Sequence, residues 1–222
     1  LGNLAGEDSI CPVSDNANLN TIKHRLNVTI GDKDASKIPV YTEDREAVIF
    51  VKALLKGKAS KLKFIDCTLG CTNLIELVTK KIPPFIFPNS IIFLDGDVKD
   101  KPAPMQKIKK SKNIILLPTK KSPEQLIANF LFNSDESLPF WKNINKDFTK
   151  SYCFRDINLF EIDKDREKAK KWFNSHLKDW GTNATKVINP WIDANKNEVD
   201  EFINQFTIVY NRFATELSID TL

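Results

Sequence analysis

An α/β fold, with a mainly parallel sheet flanked by helices and a helical C-terminal subdomain behind it, is what this 222-residue sequence predicts. Three observations predict it. Between residues 37 and 133 short apolar runs alternate with helical patterns, the rhythm of strand–helix–strand units whose parallel strands are buried on both faces. Carboxylates stand at or just past the ends of several of those runs. From residue 134 the short runs give way to long amphipathic segments, and all four tryptophans lie there.

Each element has its own reason. Residues 1–36 are polar and rich in Asn and Asp, with a short strand expected only in LNVTI (26–30); they read as a tail or a piece of a preceding domain. KIPVYT (37–42) is the first strand of the sheet. REAVIFVKALLKG (45–57) places Val48, Val51 and Leu55 on one helical face, with Gly57 to close it. KLKFIDCT (61–68) is the second strand, and NLIELVTKKI beyond it reads as a helix with Asn73 as its cap. SIIFLDG (90–96) and NIILLP (113–118) are the third and fourth strands, joined by a lysine-rich loop. Ser122-Pro123-Glu124 opens a helix over 123–133: a capping hydroxyl, a proline in the first turn, and an acid near the positive helix end. The segments EIDKDREKAKKWFNSHLKDWG and NEVDEFINQFTIVYNRFATEL supply the C-terminal helices, their aromatics mostly core. The expected organisation is a linker or remnant over 1–36, a catalytic domain over 37–133 and a helical subdomain over 134–222.

Composition narrows the function. Hydrophobic residues make up 41% and charged residues 28%, ordinary values for a soluble globular chain. The net charge is only +4, but eight lysines fall between Lys99 and Lys121, where Asp100 is the sole acid. No apolar run approaches a membrane span, and no basic, apolar leader is present. Cys67 and Cys71 are four apart without a nearby histidine, so they read as reduced thiols of a cytoplasmic protein rather than zinc ligands. LGCTN lacks the glycine run and closing lysine of a phosphate loop, which argues against ATP binding by this chain. The absence of an initiating methionine suggests a fragment or a processed chain.

The stretch IIFLDGDV carries the most chemistry. Asp is a poor strand residue, yet Asp95 and Asp97 close an apolar strand two positions apart. If the strand runs through Asp97, both carboxylates point the same way, and two acids held together call for a proton or a cation. A plain Asp-Gly turn is the competing reading. The other strand ends bear on the choice. Glu43 and Asp44 follow the first, Asp66 sits at the second, and Glu124 follows the fourth. In a parallel sheet these ends share one edge, so the carboxylates are expected to meet there and bind a divalent cation such as Mg²⁺. Two-metal nucleases use such a cluster to hold ions about 4 Å apart. Taken alone, Glu43 is equally a solvated turn acid, Asp44 a helix cap and Glu124 a favourable first-turn charge.

The pieces VYTEDREAVIFVKALL, FIDCTLGCTNLIELV, IIFLDGDV and ILLPTKKSPEQLI resemble the Toprim nuclease domain of the OLD (overcoming lysozyme defect) family of ATP-dependent endonucleases. The resemblance covers about residues 37–133. It implies that Glu43 is the family's first glutamate, that Asp95 and Asp97 form its Asp-x-Asp, and that Glu124 is its later acid. Catalytic and metal-binding roles for these residues follow, with Asp44 as a further metal ligand. It also implies a lysine near the metals from the C-terminal region, for which Lys170 and Lys171 are the candidates. The sequence departs from the family where many members carry Gly after the first glutamate and an acid four positions on; here those positions are Asp44 and Ala47, and Glu46, one residue early, is expected to point elsewhere. The partners implied are DNA and an upstream ATPase domain of the same protein, through which a homo-oligomer would form, in a setting of phage defence or DNA processing. A catalytically inactive Toprim-like module that binds DNA or a protein is the alternative. A phosphatase or receiver is disfavoured, because its Asp-x-Asp belongs on the first strand.

Overall fold

The computed structural model describes residues 37–67 and 69–222, so the strand expected at 26–30 and the segment 1–36 lie outside the described residues. Strand β1 (Ile38–Thr42) leads into helix α1 (Arg45–Leu55). A 3-10 turn then precedes β2 (Leu62–Phe64), α2 (Cys71–Thr79) and β3 (Ile91–Leu94). After a second 3-10 turn (Gly96–Asp100) come α3 (Pro102–Ile108), β4 (Ile114–Leu116) and α4 (Pro123–Asn133). Three short helices follow, α5 (Phe140–Ile144), α6 (Lys150–Cys153) and α7 (Leu159–Lys164). The long helices α8 (Arg166–Trp180), α9 (Thr185–Ala194) and α10 (Lys196–Leu217) complete the chain.

The four strands form one sheet in the order β2-β1-β3-β4, every pairing parallel. The fold is α/β with a helical C-terminal region. Pairing aligns Thr42 with Phe93 and Leu94 with Leu116, which brings the carboxyl ends of β1, β3 and β4 to one edge. From β1 the chain crosses to β2 on one side; from β3 it crosses to β4 on the other. The loops leaving β1 and β3 therefore diverge at a topological switch point, where open parallel sheets carry their sites.

Strand alternation sorts the core into two layers. Ile38, Val40, Ile91, Phe93 and Ile115 face a cluster shared with α1, α4 and the C-terminal helices, running without a break from Ile38 to Leu217. Tyr41, Ile92, Leu94 and Ile114 face a smaller cluster with Leu74 and Ile75 of α2 and Ile108 of α3. All four tryptophans are buried in the larger cluster, so they serve packing.

Several elements differ from expectation. The second strand stops at Phe64 rather than reaching 68, leaving Asp66 past its end and exposed. Helix α2 begins at Cys71 with Gly70 at its N-cap, not Asn73, which lies inside the first turn. Helix α1 ends before Gly57; Lys56, at φ 48°, closes it with a backbone N–H to Lys52. The third strand ends at Leu94, and its continuation winds into the 3-10 turn. The lysine-rich connection contains α3, where Pro102 supplies a first-turn proline. Ser122 holds the N-cap position of α4, but its hydroxyl goes to Gln125 and not to a backbone N–H.

Candidate metal centre

Glu43 is the centre of the switch point. It is the first residue past β1, and its Oε1 accepts from the Asp95 backbone N–H at 2.8 Å, tying the ends of β1 and β3 together. Its Oε2 accepts from the Cys71 N–H at 3.3 Å, at the N-terminus of α2. Asp95 and Asp97 lie around the first bend of the 3-10 turn. Because the strand has already ended, the turn and not strand alternation aims them at Glu43. Glu43, Asp95 and Asp97 each offer an oxygen within 4.8 Å of the others.

Four of the acids at this edge are deeply buried, Asp95 and Glu124 at 0% exposed, Glu43 at 4% and Asp44 at 6%, while Asp97 is only half-buried. Burial first, and then the neighbouring acids Glu43 and Asp44, push the Asp95 carboxyl well above its usual range. Burial likewise raises Glu43 and Glu124. Burial also lifts the Cys71 thiol, with help from Glu43, to about 12, so it stays protonated. Cys67, Cys71 and Cys153 are all free thiols.

The cation beside this edge was not foreseen. Arg166, the first residue of α8, reaches Asp44 Oδ2 at 3.0 Å, Glu124 Oε1 at 3.3 Å and Glu43 Oε2 at 3.6 Å, and donates to Asp95 Oδ2 as well. Burial works to lower its pKa, but Asp95, Glu124, Asp44 and Glu43 outweigh that and raise it. Lys170, one turn on, reaches Asp44 Oδ2 at 3.1 Å. Lys171 is exposed elsewhere on the helix. The available signal for Arg166 was its position: a cation in a helix's first turn opposes the macrodipole, which makes a partner outside the helix worth looking for. It also lies four residues before Lys170, on the same face.

The remaining acids divide cleanly. Asp44 caps α1 through Oδ1, which accepts from the Ala47 N–H at 3.0 Å, and turns Oδ2 to Arg166 and Lys170. Asp44 and Glu124 stand outside the Glu43–Asp95–Asp97 group, drawn together by Arg166. Glu46 does point elsewhere, accepting from Asn174 of α8 at 2.6 Å. Asp66 takes no part among the described residues.

The donor set fits a hard divalent cation, which binds oxygen ligands. Asp95 Oδ1 and Asp97 Oδ1 are buried with no hydrogen-bond partner. Lys101 meets Asp97 Oδ2 at 2.7 Å and so leaves Oδ1 to face the cluster. A buried oxygen without a partner is costly, and an ion satisfies it. The basic stretch is less free than its sequence suggests. Lys101, Lys107, Lys120 and Lys121 pair with Asp97, Glu76, Asp100 and Asp163.

A stability prediction arises here. Carboxylates whose folded pKa is raised stabilise the fold fully only below their unfolded pKa, and that contribution is lost as pH rises through the folded value. At pH 7 the metal-free protein therefore carries Asp95 at a cost. Asp95→Asn removes that cost while Arg166 keeps Asp44, Glu124 and Glu43. Urea unfolding in chelator at pH 7 should show a gain of roughly 0.5–2 kcal/mol, the usual span for stabilising single changes. The gain should shrink towards pH 4. A loss of stability at pH 7 would contradict the burial argument.

Fold and site together define a class of protein, a parallel α/β domain whose switch-point edge is lined by buried carboxylates. Comparison with protein-family models, with curated proteins and with solved structures returns no match to this chain.

Proposed function

We propose that this chain is a divalent-metal-dependent DNA endonuclease of Toprim type, the nuclease part of a larger ATPase-linked protein of the cytoplasm. The observation that carries the reading is the Glu43–Asp95–Asp97 group, with two unpartnered buried oxygens, at the switch point of the sheet. Among the described residues, no helix is long and apolar enough to cross a membrane.

Glu43, Asp95 and Asp97 would hold Mg²⁺ or Mn²⁺. When bound there, the ion supplies Lewis acidity towards a phosphodiester and towards water. The chain's own residues do the rest. Glu43 fixes the ends of β1 and β3 and the start of α2 in one geometry, which keeps reorganisation small. Lys101 orients Asp97. Lys170, beside the cluster on α8, offers an ammonium to charge developing on the phosphate. Lys109 and Lys110 are exposed and have no carboxylate partner among the described residues, so they are placed to attract a nucleic-acid backbone without reading bases.

A supercoiled-plasmid assay with Mg²⁺, Mn²⁺ or chelator tests the reading, run on this chain and on the full-length protein. Metal-dependent nicking by either supports it; intact plasmid with both removes it. A second prediction separates binding from cutting. Changing Lys107, Lys109 and Lys110 together to Ala should weaken DNA binding and make the log–log salt slope shallower by about 2, not 3, because Glu76 already engages Lys107. Fluorescence anisotropy across a salt series measures this, and an unchanged slope would exclude the α3 end as the DNA contact.

Arg166 favours a second reading, an inactive module that binds DNA or a protein. Its guanidinium already pairs with four of the acids, and such a network can be purely structural. Plasmid left intact by a chain that still binds DNA would support this reading.

A further inference from the structure

The acid cluster is split oxygen by oxygen. One half is occupied by protein: Asp44 Oδ2, Asp95 Oδ2 and Glu124 Oε1 all turn to Arg166. The other half is not: Asp95 Oδ1 and Asp97 Oδ1 are buried and have no partner; on the Arg166 side only Glu124 Oε2, the second oxygen of a carboxylate Arg166 already holds, is likewise buried without one. Asp95 belongs to both halves, one oxygen to each. The Asp44–Asp95–Glu124 half, bridged to the other by Asp95, is laid out like the second place of a two-ion centre, and a guanidinium fills it.

We propose that Arg166 is the site's resident second cation, so that the centre takes one divalent ion, on Glu43, Asp95 and Asp97. The inference rests on the metal reading above and adds the stoichiometry and the residue that sets it. Charge supports it. The carboxylates Glu43, Asp44, Asp95, Asp97 and Glu124 face Arg166, Lys170 and Lys101, which leaves two formal negative charges, the complement of one divalent ion. A second such ion would give the buried edge a net positive charge and would have to displace a guanidinium held by four carboxylates. Guanidinium suits this place because its planar fork meets several carboxylates at once and keeps its charge when buried. The position of Arg166 at the start of α8 makes the helical region part of the site. Helix α8 packs against α4, and α7 just before it is tied to α4 where Gln125 Nε2 donates to the Ile162 carbonyl at 3.2 Å; together these contacts deliver the cation.

The test uses Mn²⁺ alone on the 222-residue chain. Titration calorimetry should give one ion per chain for the wild type, two for Arg166→Gln, and one for Arg166→Lys, which keeps the charge. Electron paramagnetic resonance at saturating Mn²⁺ should show an isolated ion in the wild type and a spin-coupled pair in Arg166→Gln. If Arg166→Gln does not fold, the wild-type spectrum decides: an isolated ion upholds the proposal and a coupled pair overturns it. A folded Arg166→Gln that still takes one ion also overturns it, while leaving the metal reading in place. A wild type that takes no Mn²⁺ at all overturns both.

Discussion

Replacing Asp97 by alanine is expected to lower metal-dependent nicking of supercoiled DNA by about 10³-fold, the order lost when one preorganised charge at a reaction centre is removed. DNA affinity should stay nearly unchanged, because the substitution deletes a carboxylate and no basic residue. Asp97 is the right position to probe for a physical reason. Its Oδ2 is held by Lys101 at 2.7 Å, and its Oδ1 faces the cluster without a partner. Glu43, by contrast, also ties the ends of β1 and β3, so a change there would mix chemistry with folding. Nicking should be followed with Mg²⁺ and with Mn²⁺, and binding by anisotropy on the same DNA. If Asp97→Ala cuts as well as the wild type, the proposed nuclease reading is wrong. If it loses binding and cutting together, Asp97 acts through structure rather than through the metal.

The second large effect is structural and concerns the glycine between the two aspartates. A Cβ on Gly96 would sit 2.6 Å from the Thr119 carbonyl oxygen and 2.7 Å from that of Pro118. Both are backbone atoms, so neither can rotate away as a side chain would. Thr119 is itself at φ 63°, which leaves that turn little freedom to yield. Gly96→Ala is therefore expected to cost about 3 kcal/mol, at the upper end for forced insertion of a methyl group. It should also weaken Mn²⁺ binding, because a shift of the 95–97 turn that relieves the clash displaces Asp95 and Asp97 relative to Glu43. Urea unfolding measures the first and calorimetry the second. An unchanged unfolding midpoint would mean that the turns after β3 and β4 are not in contact as described.

Much of the frame was legible in local pattern. The apolar runs at 38–42, 91–94 and 114–116 are buried on both faces, and such runs separated by helical patterns leave few alternatives to a parallel sheet. The helix at 123–133 was readable to the residue because Pro123 fixes its first turn. Boundaries set by competition were not readable. KLKFIDCT has strand propensity through Cys67, yet only Leu62–Phe64 pair, because β1 gives β2 just three partners. The connection after Asp97 reads as loop from its lysines, but α3 forms there because Ile108 packs with Leu74 and Ile75.

The candidate site divides the same way. By itself the sequence determined which acids stand at strand ends: Glu43, Asp44, Asp95, Asp97 and Glu124 are all close in sequence to the runs they follow, and local periodicity finds such residues. It also put Lys170 on a helix that follows the sheet. Only the tertiary structure decided how these groups divide. Strand order β2-β1-β3-β4 makes β1 and β3 neighbours, which joins Glu43 to Asp95 across 52 positions of chain. The packing of α8 carries Arg166 to Asp44, 122 positions away, and turns Asp44 and Glu124 towards a guanidinium. The physical reason is range. Hydrophobic period and capping chemistry act over a few residues and write themselves into the local sequence. The field of a buried carboxylate cluster selects its counter-charge from whatever the fold brings near, and local pattern marks that residue only faintly, as a cation set against a helix dipole.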